Sequence, residues 1–175
     1  LGNIIVRSQI AVDPRQGCES QCSAIVDALR SLIQGLRSRG CTQPLMAGGI
    51  VIKGLVDTVK GELVYSATLP GWESVPITAF FEKELSIPFY VENDVRAVTT
   101  FELEKYRERK PKVMMCINAE RGVGVGLAIN EKIYYGASSG VSATHMILDP
   151  HGPLCSCGNH GCWDIMTSYE IFSQR

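Results

Sequence analysis

The order of apolar and polar residues along the chain predicts alternating strands and helices. Residues 3–12 are rich in β-branched side chains, which predicts a strand. Residues 19–39 repeat apolar side chains at helical spacing, and Gly40 follows where such a helix can end. Residues 45–52 are almost all apolar, as is typical of a buried strand whose sheet is covered by helices. This succession of elements indicates the α/β class.

The same alternation continues through the rest of the chain. Further strands are predicted at 62–67, 88–91, 113–118, 127–130 and 133–135, and further helices from Pro76 and over 94–107. A charged stretch at 102–112, which contains Pro111, separates the last helix from the later strands. We therefore predict a boundary near 108–112, with a first α/β lobe at residues 1–110 and the start of a second lobe at residues 111–175.

Length and charge narrow the functional classes. With 175 residues, 45% of them hydrophobic, the chain can bury a sizeable core. A formal net charge of −1 gives no electrostatic reason to expect that this segment binds nucleic acid or a membrane. No second short helix follows the helix at 19–39 at helix-turn-helix spacing. Since the chain has neither a membrane-length apolar stretch nor a signal-peptide pattern, we expect a cytoplasmic protein.

Three of the seven cysteines lie close together on a turn-rich stretch. Cys155 and Cys157 form a Cys-X-Cys-Gly motif, and two glycines permit the chain reversal that returns Cys162 to the same point. Three thiols and one imidazole are the ligand set of a closed, structural Cys3His zinc site. Spacing alone leaves the fourth ligand open among the three histidines of the chain, His145, His151 and His160.

Disulfide bonds are the alternative use of these thiols. Three cysteines leave one unpaired, and Cys-X-Cys has poor geometry for an internal bridge. Ordinary buried cysteines would need neither the flanking glycines nor a histidine. The zinc interpretation is therefore favoured, and the other four cysteines are expected to be free thiols: Cys18, Cys22, Cys41 and Cys116.

The stretch from Gly152 to Asp164, together with His145 before it, closely resembles the zinc signature of the ROK family of bacterial repressors, sugar-sensing proteins and sugar kinases. The resemblance implies that His145 is the fourth ligand, because it stands where the family's Gly-Glu-Ile-Gly-His motif ends. It also implies an actin-like ATPase, ribonuclease H-like fold of two lobes, of which this chain would hold the first and an incomplete second.

An Asn-Asp pair at residues 93 and 94 lies between a predicted strand and a predicted helix, where open α/β sheets commonly bind ligands. From the sequence alone, a helix cap is the favoured role of an aspartate at this position. Resemblance to the family implies that Asn93 and Asp94 bind sugar hydroxyls. In a kinase of the family, Asp94 would be the general base that deprotonates the attacking hydroxyl.

Four more positions of the expected sugar site follow from the same resemblance: Gly54, Ser142, His145 and Asp164. Gly54 belongs to a segment similar to the family's Pro-Gly-X-Val-Asp turn. Ser142 replaces a glutamate of the family motif, which removes a charge-assisted hydrogen bond of roughly 1.5–3 kcal/mol. Asp164 replaces another glutamate and keeps its charge with a shorter reach.

A glycine run at Gly122, Gly124 and Gly126 could cradle phosphate through backbone N–H groups, although such runs are as often tight strand connections. Kinases of the family typically carry a threonine after the first glycine of this run. Here Val123 takes that place, which resembles the family's regulators more than its kinases.

We therefore expect the sugar-sensing segment of a transcriptional regulator similar to NagC and XylR. It would have a structural zinc ion, form a homo-oligomer such as a dimer or tetramer, and contact DNA only through a helix-turn-helix domain outside this chain. The alternatives are a sugar kinase that uses Mg-ATP and a degenerate member that no longer binds sugar. The chain begins with Leu1 and contains no Asp-X-Gly-Gly-Thr phosphate loop, so we expect it to cover the middle of a family member.

Overall fold

The computed structural model describes residues 3–11, 13, 16–119, 122–136 and 143–168. Its helices are α1 (Cys18–Ser38), α2 (Ile77–Leu85), α3 (Asp94–Lys105) and α4 (Trp163–Met166), with a 3-10 turn at Arg107–Arg109. Its strands are β1 (Gly48–Ile52), β2 (Leu55–Asp57), β3 (Glu62–Tyr65), β4 (Phe89–Asn93), β5 (Val113–Ala119), β6 (Val123–Ile129) and β7 (Lys132–Ile133). Most predicted elements are confirmed with bounds that agree to within three residues, except that β6 begins four residues before the strand predicted at 127–130.

The main hydrophobic core lies between the first strands and the helices α1 and α2. Strands β1 and β4 pair in parallel, from Gly48 opposite Phe89 to Ile52 opposite Asn93, and β2 pairs with β3 in antiparallel fashion. Buried side chains from the two helices, β2, β3 and β4 meet in one cluster, against which β1 packs partly buried isoleucines. The cluster includes Val26, Val56, Leu63, Trp72, Phe81 and Val91. This core fixes the carboxyl end of β4, where the predicted Asn-Asp pair stands.

Helix α3 leads from this core to the second sheet, in which β5, β6 and β7 are antiparallel neighbours. The helix contacts β4 on one side and both β5 and β6 on the other. It therefore touches strands from each of the two proposed lobes, and the boundary near 108–112 remains a prediction. None of the described helices is long and apolar enough to span a membrane.

The strand predicted at residues 3–12 is wrong for the residues that the structure describes there. Residues 3–11 carry no regular secondary structure, and their side chains are exposed. A strand requires a neighbour to accept and donate its backbone hydrogen bonds, and no strand of the described chain pairs with this segment. A β-branched composition thus indicates that a segment can form a strand, but it does not show which other strand would pair with it.

Candidate functional site

Four candidate metal ligands come together in the segment that follows the second sheet. A ring nitrogen of His145 and the Sγ atoms of Cys155, Cys157 and Cys162 all lie within 4.8 Å of one another. Two separations are shorter, since His145 Nδ1 lies 3.6 Å from Cys155 Sγ and Cys157 Sγ lies 3.6 Å from Cys162 Sγ. These four atoms could hold a metal ion.

Backbone hydrogen bonds shape the loop around this cluster. The Cys155 N–H donates to Asn159 O at 2.8 Å, and the Gly158 N–H donates back to Cys155 O at 2.9 Å. Gly158 and Gly161 have φ angles of +89° and +59°, in the left-handed region that favours glycine. A Cβ atom on Gly161 would also collide with the carbonyl oxygen of Asp149. The two glycines thus permit the reversal that the sequence predicted.

The other two histidines are outside the cluster. The His160 ring places Nδ1 2.9 Å from the carbonyl oxygen of Gly152, and His151 is exposed on the turn that precedes the first cysteine. Of the three histidines that the spacing allowed, the described structure therefore groups only His145 with the thiols.

The three thiols of the cluster are unpaired, and those of Cys157 and Cys162 have shifted pKa values. All seven cysteines are free, and the 3.6 Å between Cys157 and Cys162 sulfurs is far longer than the roughly 2.05 Å of a disulfide bond. Burial raises the pKa of Cys162 to about 12. A hydrogen bond from the Asn159 backbone lowers the pKa of Cys157. Burial disfavours the thiolate form of Cys162, and a bound metal cation would favour it, as a metal-ligand role requires.

The predicted Asn-Asp pair stands at the junction of β4 and α3. The side chain of Asn93 is the helix cap, because its Oδ1 accepts hydrogen bonds from the Val95 N–H at 3.0 Å and the Arg96 N–H at 3.2 Å. Its Nδ2 donates to Gly54 O at 3.0 Å and to Asp94 Oδ1 at 2.9 Å. The asparagine thus brings three predicted site residues together, and the partly exposed Asp94 opens the helix.

Three further residues surround this pair, and the sequence analysis did not single them out: Glu92, Arg96 and Tyr135. The Arg96 Nε donates to Glu92 Oε1 at 2.6 Å, and Arg96 Nη2 donates to the carbonyl oxygen of Val56 at 3.1 Å. The Tyr135 hydroxyl donates to Glu92 Oε2 at 2.9 Å. The guanidinium of Arg96 also lies 5.0 Å from the centre of the Tyr135 ring. Burial and the nearby Glu92 carboxylate raise the pKa of Tyr135, so its hydroxyl remains a donor.

Asp164 lies next to the predicted phosphate-loop-like glycines. Its Oδ1 accepts a hydrogen bond from the Val123 N–H at 2.8 Å, and its own N–H donates to Thr144 O at 2.9 Å. A Cβ atom on Gly122 would collide with the Asp164 carboxylate. Asp164 therefore ties the start of β6 to the residues just before His145.

Gly124 and Gly126 lie within β6, where the strand faces α3. A Cβ atom on Gly124 would overlap the Val95 side chain, and one on Gly126 would overlap the Thr99 hydroxyl. The two glycines therefore allow close packing of the helix on the strand. Ser142, the remaining predicted sugar contact, lies outside the described residues.

Comparison with known proteins gives one family and two kinds of relative. The sequence pattern of the ROK family matches residues 3–175. The chain is 29% identical over 164 residues to the xylose repressor of Bacillus spizizenii, a match that covers 91% of this chain and 42% of that protein. It is 33% identical over 143 residues to the glucokinase of Streptomyces coelicolor, covering 81% and 44% respectively.

A solved structure of a protein from the same family has a similar fold. The ROK family glucokinase from Streptomyces griseus, determined in complex with glucose and AMPPNP, superimposes with a TM-score of 0.71 at 25% identity, over 94% of this chain and 50% of that one. The chain spans less than half the length of the two curated relatives, at 42% and 44%.

Proposed function

The chain belongs to the ROK family, and from that premise we propose that it is the sugar-sensing part of a transcriptional regulator. Its fold is the α/β, actin-like ATPase fold of that family, as the resemblance in the zinc signature implied. Relatives of both kinds, a xylose repressor and a glucokinase, are named for a sugar. A sugar or sugar derivative is therefore the ligand that we propose.

The arrangement of Asn93 and Asp94 is the observation on which the proposal depends. The Asn93 cap holds Asp94 at the first residue of α3, beside the carbonyl of Gly54, at the carboxyl end of a parallel strand. A partly exposed carboxylate at this position can accept hydrogen bonds from two sugar hydroxyls. In this proposal Asp94 is the main acceptor, and Gly54 and Asn93 set its position.

We propose zinc as the metal of the Cys3His cluster, with His145, Cys155, Cys157 and Cys162 as ligands. For tetrahedral zinc, with Zn–S near 2.3 Å and Zn–N near 2.0–2.1 Å, ligand separations of about 3.8 Å between sulfurs and about 3.6 Å between sulfur and nitrogen follow. One observed separation of each kind is 3.6 Å, and all four ligand atoms lie within 4.8 Å of one another, which supports a site of this size. When bound, zinc would crosslink the loop, because a four-ligand site leaves no open position for chemistry.

The zinc loop adjoins two other residues of the proposed sugar site. His145 Nδ1 lies 3.6 Å from the Cys155 sulfur, which leaves Nε2 for a sugar hydroxyl. Asp164 follows the last cysteine by two residues and is tied to Thr144, the neighbour of His145. The proposed role of the metal is thus to hold His145 and Asp164 in place for sugar binding. Ser142 is proposed as a further contact of the sugar.

Position 123 favours a regulator over a kinase. The Val123 side chain is 7% exposed, and its N–H is hydrogen-bonded to Asp164 Oδ1 at 2.8 Å. This residue therefore offers no hydroxyl to a phosphate group, and its backbone donor already has a partner. A sensor needs only a ligand that binds one of two conformations more tightly, and no reaction. DNA contact would come from a helix-turn-helix domain elsewhere in a homo-oligomeric protein.

The second candidate function is a sugar kinase, which the 33% identity to a glucokinase favours. Asp94 would then be the general base, and Mg-ATP the phosphate donor. Gly122, Gly124 and Gly126 would face the phosphates in this alternative. A degenerate member that has lost sugar binding through Ser142 is the third possibility that the same experiments test.

Calorimetric titration of the complete, zinc-loaded protein tests sugar binding. D-xylose, D-glucose and N-acetylglucosamine are the ligands, and Asp94→Asn is the variant. We expect one of these sugars to bind, and Asp94→Asn to weaken binding by about tenfold or more, since it removes a charged acceptor. Asp27→Asn is the matched control, because that carboxylate is 75% exposed on α1. Equal affinities for both variants and the wild type would exclude Asp94 from the site.

Phosphorylation of the bound sugar separates the two main functions. The regulator proposal expects no sugar phosphate after incubation with Mg-ATP, and expects the sugar to change the protein's affinity for its operator DNA. Turnover that stops in Asp94→Asn and continues in Asp27→Asn would establish the kinase instead.

A further inference from the structure

The contact between Tyr135 and Glu92 joins two parts of the fold that are 43 residues apart in sequence. Glu92 belongs to β4 in the first core, whereas Tyr135 follows β7 of the second sheet. The bond is 2.9 Å long, and the same tyrosine ring lies against the guanidinium of Arg96. Tyr135 therefore bridges the second sheet to the strand end that carries the Asn-Asp pair.

Glu92 has hydrogen-bond partners at both carboxylate oxygens. Oε1 accepts from the backbone N–H of Asn93 at 2.7 Å and from Arg96 Nε at 2.6 Å. Oε2 accepts from Tyr135, and this bond fixes the rotation of the carboxylate about its last torsion. Without the tyrosine hydroxyl, the carboxylate could turn and leave the Asn93 N–H and Arg96 Nε without a fixed acceptor.

Arg96 also restrains the segment that contains Gly54, another residue of the proposed site. Its side chain is 6% exposed, and it reaches the carbonyl of Val56, two residues after Gly54. The guanidinium thus restrains the segment whose Gly54 carbonyl receives the Asn93 amide. Because the charge is buried, its ion pair with Glu92 is also harder to rearrange than a surface pair.

We infer that Tyr135 is a positioning residue for sugar binding, acting through Glu92 and Arg96 to hold Asn93, Asp94 and Gly54 in the geometry that accepts the sugar. The inference rests on the proposed function. It also makes sugar affinity depend on how the second sheet packs against β4, since the 2.9 Å bond from Tyr135 to Glu92 joins those two parts of the fold.

Tyr135→Phe tests the inference, because it keeps the ring over Arg96 and removes only the hydroxyl. We expect sugar affinity to fall about three- to tenfold, less than a fully buried bond to a charged group would give, because Tyr135 is 39% exposed. The control is Tyr134→Phe, a neighbouring tyrosine of similar exposure, 46%, which should bind sugar like the wild type.

A second readout needs no sugar. Hydrogen exchange of the backbone amides in a peptide spanning residues 89–96, measured by mass spectrometry on the complete protein, reports whether the strand end is held. Tyr135→Phe should increase exchange there, and Tyr134→Phe should leave it unchanged. Glu92→Gln should show the same increase, and adding Tyr135→Phe to Glu92→Gln should have little further effect, because both changes break one chain of contacts.

The two readouts separate the inference from the proposed function. Unchanged exchange at residues 89–96 in Tyr135→Phe overturns the inference, whether or not the protein binds sugar. Increased exchange with unchanged sugar affinity overturns it as well, because the tyrosine would then be only structural. The wild type could bind none of the sugars while hydrogen exchange at residues 89–96 still increases in Tyr135→Phe. The proposed function would then fail, and the role of Tyr135 would be limited to stabilising the end of β4.

Discussion

The metal-ligand cluster and the strand end at Asn93 are built in opposite ways. The four ligands of the cluster lie within the short segment from His145 to Cys162, and two of them, His145 and Cys157, are exposed. The strand end assembles Gly54, residues 92–96 and Tyr135, which are far apart in sequence. One region is thus local and could hold a metal ion, whereas the other is formed by tertiary contacts and a buried charge.

This difference decides what stabilises each region. The cluster segment has only a few buried side chains, so we expect its order to come from metal binding, which for structural zinc peptides is worth roughly 10–16 kcal/mol. The strand end is continuous with the main hydrophobic core through β4, and its polar groups pair with one another. Removing the metal should therefore loosen the first region and leave the second intact.

Replacing a metal ligand is expected to have the largest effect. Cys157→Ser should reduce bound zinc from one equivalent to near none, because a neutral hydroxyl is a poor substitute for a thiolate. Elemental analysis measures the metal, and hydrogen exchange should increase across residues 145–162 while residues 89–96 keep their protection. Cys116→Ser is the control, since Cys116 lies in β5 outside the cluster. A Cys157→Ser protein with a full equivalent of zinc would contradict the ligand assignment.

The second prediction applies to the buried charge of the strand end. Arg96→Ala should lower the free energy of unfolding by about 3–5 kcal/mol, because it leaves the Glu92 carboxylate without its cation. Denaturant unfolding followed by circular dichroism gives this number. The matched control is Arg30→Ala, which breaks a 2.8 Å pair with Glu84 but at a side chain that is 50% exposed. We expect less than about 1 kcal/mol there.

Equal losses of unfolding free energy in Arg96→Ala and Arg30→Ala would contradict the expected difference between a buried ion pair and a surface ion pair.

Zinc content is an additional test of the comparison between the metal-ligand cluster and the strand end. Arg96→Ala protein that remains folded should keep its full equivalent of metal. The hydrogen bonds described for Arg96 go to Glu92 and Val56, which are not metal ligands.

The sequence predicted the local region far better than the tertiary one. Cys155, Cys157 and Cys162 could be assigned because thiol ligands at this spacing have few other uses, and the family resemblance selected His145 from three histidines. A Glu-X3-Arg spacing at Glu92 and Arg96 was present in the sequence as an i, i+4 pair. That spacing is common on solvated helix faces, so nothing marked this pair as buried.

Tyr135 gave no signal at all in the sequence, because its contact depends on how the second sheet lies against β4. The wrong strand at residues 3–12 has the same origin, since its composition was suitable but its partner could not be inferred. Local patterns therefore predicted the helices, most of the strands and the grouping of His145 with the three cysteines. They could not supply pairings that depend on two distant segments meeting.

The packing of α3, which begins at the strand end, against β6 supplies the third prediction. Gly126→Ala should destabilise the protein by about 1–3 kcal/mol, because its Cβ would press on Thr99, which is fully buried and bonded to Val95 O at 2.7 Å. Thermal unfolding measures the loss. Gly49→Ala is the control, because a Cβ there has no atom within 4 Å. If Gly126→Ala were as stable as Gly49→Ala, close packing would not explain the glycine, and the phosphate-binding alternative would gain weight.

The smallest effect is expected at the helix cap, and it separates stability from ligand binding at one residue. Asn93→Ala should lower the free energy of unfolding by about 1 kcal/mol, because two amides at the start of α3 lose their acceptor. Asn93→Ser should retain most of that stability, since serine is also a good cap, but it cannot reach the Gly54 carbonyl. Urea unfolding measures the stability of both variants, and sugar titration measures their affinity.

Both variants should lose sugar affinity to a similar extent if the bond from Asn93 to Gly54 positions the site, although their stabilities differ. If Asn93→Ser instead restored affinity together with stability, the asparagine would act only as a cap. The strand end would then resemble the metal cluster in depending on one local feature, and the long-range contacts of Glu92, Arg96 and Tyr135 would have to be reassigned to folding alone.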